Sequence, residues 1–131
     1  MCEPSNPWVT GIEKLFTKEY YELGRKRLSK DGLYVQWFPL FSMQEEVVRK
    51  IFATFSNVFP NTMVFSAQGG ALTLIGSEKA FSLDPAQSRK RFDELKKAYN
   101  DVGIQHVETV WLKQLMTPLQ VQAVTYKTDS L

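Results

Sequence analysis

The run Leu33-Tyr34-Val35-Gln36-Trp37-Phe38 constrains this chain more than any other stretch. It is rich in β-branched and aromatic side chains, is preceded by the turn Asp31-Gly32, and is followed by Pro39, which cannot donate to a ladder. A nearly continuous apolar run of this kind suits a strand buried on both faces. The expectation is a central parallel strand in an α/β sheet. Helical patterns lie on either side of it. Thr17 can cap a helix of about a dozen residues, with Phe16, Tyr20, Leu23 and Leu28 along one side. Ser42-Met43-Gln44-Glu45 has the form of a capping box, followed by Val48, Ile51, Phe52, Phe55 and Phe59 at helical spacing until Pro60 intervenes.

Further along, 62–67 and 71–76 are short strand-like runs joined by Gln68-Gly69-Gly70. Glycines there supply the positive φ of a tight turn, so an antiparallel hairpin is expected. A phosphate loop would need a helix after the glycines, and a second strand follows instead. Asp84-Pro85 starts another helix, with Phe92, Leu95, Tyr99 and Val102 as its apolar stripe and Gly103 as its stop. Thr117-Pro118-Leu119-Gln120 repeats the device on a shorter scale, while 104–116 matches no single pattern. A chain of 131 residues without an evident linker reads as one folding unit.

Charge and composition narrow the function classes. Sixteen basic and fourteen acidic residues leave +2, with neither sign gathered into a long block. Neither nucleic acid nor an anionic membrane is therefore an expected partner. Arg25-Lys26-Arg27 and Arg89-Lys90-Arg91 flank apolar helix positions and read as solvated faces. A single cysteine, Cys2, excludes an internal disulfide, and with His106 as the sole histidine no familiar zinc spacing can be assembled. His106 itself reads as a loop or surface residue. Direct membrane insertion is not expected, because the apolar runs fall well short of the roughly 20 residues of a spanning helix. A cytoplasmic location is compatible with the one cysteine.

Three segments carry a family resemblance: Glu3-Pro4-Ser5-Asn6-Pro7-Trp8, Leu15-Phe16-Thr17-Lys18-Glu19-Tyr20-Tyr21, and Lys30-Asp31-Gly32-Leu33-Tyr34-Val35-Gln36-Trp37. In this order they resemble the C-terminal part of the spermidine synthase-like aminopropyltransferases, in the bacterial branch whose acidic turn reads Glu-Pro-Ser-Asn-Pro-Trp. The resemblance covers residues 1–80, with 81–131 as a helical C-terminal extension. It implies the C-terminal half of a methyltransferase-type, Rossmann-like sheet: a central parallel strand plus an antiparallel hairpin, flanked by helices. Some relatives are fused to membrane segments, so a parent protein attached to a membrane is compatible with it.

The resemblance also implies a chemistry. Aminopropyl transfer requires a neutral amine to attack the carbon beside the sulfonium of decarboxylated S-adenosylmethionine, and a carboxylate can take the amine's proton. By position Glu3 corresponds to the family's catalytic aspartate and Asn6 to the aspartate that binds the diamine. Both differ from the family residue, and Asn6 offers no anionic partner to an ammonium. Trp8 is either a lid over the substrate or packed against the sheet. Gln36 falls one residue from the family's substrate-binding glutamine, so a substrate contact and a structural role both stay open. The implied partner is a small-molecule amine, and decarboxylated S-adenosylmethionine is the cosubstrate of the complete domain.

No cofactor site is expected within these residues, since the glycine-rich turn and ribose-binding acid of such folds would precede Glu3. The chain is therefore expected to be inactive alone, and to self-associate through an incomplete sheet. Two alternatives accompany this reading. One is part of a methyltransferase using S-adenosylmethionine, from the likeness of Ser5-Asn6-Pro7-Trp8 to an Asn-Pro-Pro-aromatic turn. The other is a non-catalytic binding or assembly module.

Overall fold

The computed structural model describes residues 11–80 and 84–130. After a 3-10 turn at Glu13–Phe16 come α1 (Lys18–Arg25), β1 (Tyr34–Pro39), α2 (Glu45–Val58), β2 (Asn61–Ser66) and β3 (Ala71–Ser77). The chain then forms α3 (Pro85–Glu94), α4 (Lys96–Asp101), α5 (Val107–Trp111), β4 (Gln114–Met116) and α6 (Pro118–Thr125). Four strands make one sheet in the order β1-β3-β2-β4, and every neighbouring pair is antiparallel.

This order corrects the expectation for the Leu33–Phe38 run. The strand is Tyr34–Pro39, it lies at an edge of the described sheet, and its neighbour β3 runs antiparallel to it. Composition concealed this because the run alternates in role rather than in polarity. Tyr34, Gln36 and Phe38 lie on the face shared with Leu72, Leu74 and Gly76, whereas Val35 and Trp37 lie on the other. Pro39 closes the strand opposite Ala71, a position that an edge strand tolerates. Because β1 and β2 are both antiparallel to β3, they run in the same direction, with α2 connecting them and β3 inserted between.

The core forms where α2 crosses the first face. Phe52 meets Phe38 with ring centroids 6.0 Å apart. Phe55 lies edge-on to Tyr21 of α1 at 5.1 Å, and Phe59 stacks on Tyr34 at 5.0 Å. Gly76 is what lets α2 come this close. A Cβ there would lie 2.6 Å from the Phe59 Cβ and 2.7 Å from a ring carbon of Phe55. Gly76→Ala is expected to destabilise by about 2–3 kcal/mol, the upper part of the overpacking range, because the Phe59 Cβ is fixed to the backbone and cannot turn aside. An unchanged urea midpoint would contradict this packing.

The helices match their sequence signals unevenly. Thr17 caps α1 through its Oγ1, which accepts from Tyr20 N at 3.4 Å. The helix has eight residues rather than a dozen, Tyr21 is its buried residue, and Leu23 is 52% exposed. Gly24 lies under Tyr34, whose ring a Cβ could not clear. The capping box at Ser42 does not form. Ser42 takes a positive φ of 56° in a turn closed by Met43 N to Leu40 O at 3.2 Å, and α2 begins after Gln44 with no side-chain cap. Glu45 pairs with Arg49 at 2.7 Å instead.

The hairpin forms as expected, with Gly69 and Gly70 at φ +70° and +73°. Asp84 caps α3 by accepting from Ala86 N and Gln87 N, and Thr117 with Gln120 completes a capping box on α6. The stripe from Phe92 to Val102 is divided, because the backbone leaves the helix at Leu95 (φ −110°, ψ 15°). Phe92 and Tyr99 stack at 4.7 Å across this break, while Val102 is 70% exposed. Gly103 ends α4's turn with φ +80°.

Candidate functional site

Gln36 occupies the middle of β1, opposite Leu74 of β3 and on the face that meets α2. Its side chain is fully buried at 0% exposure. Neither Oε1 nor Nε2 has a hydrogen-bond partner among the described residues. Two buried threonines nearby have hydrogen bonds. Thr54 Oγ1 donates to Lys50 O at 2.7 Å, and Thr62 Oγ1 donates to Phe59 O at 2.6 Å. An unsatisfied buried amide costs about 1–3 kcal/mol. A carboxamide in this state can accept from an amine N–H through Oε1 and donate twice through Nε2. Gln36 also lies on the strand whose second edge has no pairing partner among the described residues.

Of the residues expected to form a site, Gln36 is a buried side chain on the edge strand of the described sheet. Glu3, Asn6 and Trp8 lie outside the described residues. His106 precedes α5 as its N-cap residue and makes no side-chain capping bond. Among the described residues no three His, Cys, Asp or Glu side chains gather to hold a metal ion. No helix among them is long and apolar enough to cross a membrane.

A second feature was not legible in the sequence. Facing stripes of α3 and α5, with Tyr99 of α4, enclose an open cavity of about 580 Å³. Arg89 braces its wall: its guanidinium meets the Glu108 carboxylate at 2.6 Å and lies 5.2 Å from the Trp111 ring centre. The Glu108 carboxyl is held below the ordinary carboxylate range, mainly by its own backbone N–H and further by Arg89, against an opposing effect of burial. The triplet Arg89-Lys90-Arg91 reads as a solvated face. The pairing of Arg89 with Glu108 and Trp111 spans two helices and has no local pattern that could announce it.

Comparison with protein-family models, with curated proteins and with solved structures finds no match. Gln36 and the α3–α5 cavity are accordingly read from their own geometry and chemistry.

Proposed function

We propose that this chain is the C-terminal part of a spermidine synthase-like aminopropyltransferase, and that Gln36 lies beneath the amine-binding end of the complete site. The observation that carries this reading is the fully buried Gln36 amide, whose polar atoms have no hydrogen-bond partner among the described residues, on the strand that the family resemblance had already singled out. A buried carboxamide kept without a partner is costly to the fold and useful to a ligand that supplies one.

The order β1-β3-β2, with two codirectional strands around a reversed one, supports the same reading. Sheets of the methyltransferase type finish with their last strands antiparallel at one edge. On this reading the free side of β1 takes a parallel strand from the upstream, cosubstrate-binding half. The opposite sheet face, with Val35, Trp37, Ile75 and Phe65 half-buried, takes that half's helices.

In the proposed reaction the amine nitrogen forms a bond to the carbon beside the sulfonium as that carbon–sulfur bond breaks, leaving a neutral thioether. The amine's proton passes to Glu3. Asn6 orients the amine through a hydrogen bond, Gln36 lies beneath it, and Trp8 covers it. Calorimetry tests the assignment in a polypeptide that joins this chain to its upstream half. Decarboxylated S-adenosylmethionine should bind and ordinary S-adenosylmethionine should bind more weakly. The reverse preference would indicate methyl transfer, and binding of neither would overturn both enzymatic readings. The present chain alone should bind neither nucleoside, and micromolar affinity for either would contradict the proposal.

A further inference from the structure

The cavity between α3 and α5 is unlike an ordinary gap between packed helices. On α3 the residues facing it are Asp84, Gln87, Ser88, Arg91 and Phe92, spaced three, four, seven and eight positions from the first. On α5 they are Val107, Val110 and Trp111, spaced three and four. These are single faces of two helices. Faces of this kind normally interdigitate to near-crystalline density. Here they stay apart around about 580 Å³, within the size range of small-molecule sites.

The separation is braced rather than slack, because Arg89 joins Glu108 and the Trp111 ring across the two helices. The buried part of the lining is apolar: Phe92 and Val107 are both nearly inaccessible, and Phe92 is stacked on Tyr99. Aromatic surface on several sides favours a flat, unsaturated ligand.

Charge decides which one. Asp84 at one end of the cavity is anionic and engaged through Oδ1 with the first turn of α3. Arg91 lies two helical turns away and forms an exposed ion pair through Nη1 with Glu94 at 3.1 Å. Its Nε and Nη2 make no hydrogen bond among the described residues, and an exposed pair of this kind is weak enough for a ligand carboxylate to share the guanidinium. We propose that this cavity is a small-molecule site separate from Gln36, taking an aromatic carboxylate whose acid group lies against Arg91 and whose ring lies among Phe92, Tyr99 and Trp111. Asp84 repels the acid from the opposite end and so fixes the ligand's direction.

The test is a two-dimensional amide NMR titration of the chain with 4-hydroxybenzoate, with p-cresol as the analogue lacking the acid. Saturable shifts are expected at the Trp111 indole N–H and at the backbone of Ser88 and Val107, with half-saturation below about 1 mM. Removing the acid, or substituting Arg91→Gln, should weaken binding about tenfold or more. Arg91 is 71% exposed, so the variant should keep the dispersed spectrum of the folded protein. The proposal is overturned by an absence of saturable shifts at these positions, by equal binding of p-cresol, or by unchanged binding to the Arg91→Gln protein.

Discussion

Replacing Phe55 by alanine should lower the stability of this protein by about 3–5 kcal/mol, the range for removing a fully buried phenylalanine. Its ring is inaccessible and has three aromatic neighbours: Tyr21 at 5.1 Å, Tyr34 at 6.0 Å and Phe59 at 5.0 Å. These come from α1, β1 and the end of α2, so truncation would open a cavity where three elements meet. Domains of ordinary stability have about 5–15 kcal/mol in total, so the variant should be largely unfolded under mild denaturant. Urea titration followed by circular dichroism reads the effect. A loss below about 1 kcal/mol would show that α2 is not the helix on which the core is built.

Gln36→Met should act in the opposite direction. Methionine keeps the unbranched shape of glutamine and removes from the interior both polar atoms that lack a partner among the described residues. Replacing an unpaired buried amide by an apolar group of similar shape should raise stability by about 1–3 kcal/mol. Most substitutions at fully buried positions lower stability, so a gain here would mark Gln36 as a residue kept for something other than folding. A loss of stability would instead mean that the amide has a structural partner. The comparison needs only the chain itself and equilibrium denaturation.

How far the sequence revealed this architecture depended on how local each cause is. The Gly69-Gly70 turn, the Asp84 and Thr117 caps and the Gly103 stop each depend on a few adjacent residues, and each is found where its residues stand. Ser42 had an equally local signal and failed, because the preceding turn claims its backbone with a positive φ. The place of β1 depends on which strand lies beside it, and an uninterrupted apolar run suits an edge against one helical layer as well as a sheet centre. At the candidate site, Gln36 was singled out only by the family resemblance, with a substrate contact and a structural role both open. That its amide is sealed, with no partner among the described residues, required the packing of α2 over β1. The α3–α5 cavity depended on Arg89 finding Glu108 and Trp111 across a turn and a helix, and no spacing rule connects them.

The proposed aminopropyl-transfer site has Glu3 as its base and Gln36 beneath its amine-binding end. The most direct measurement is product formation from decarboxylated S-adenosylmethionine and an amine, using this chain joined to its upstream half, with Gln36→Met and Glu3→Gln proteins assayed beside it. The expected result is an aminopropylated amine, a rate reduced on the order of a hundredfold or more by Glu3→Gln, and a raised KM for the amine in the Gln36→Met protein. Transfer that is indifferent to both substitutions, or methyl transfer from ordinary S-adenosylmethionine in its place, would contradict it.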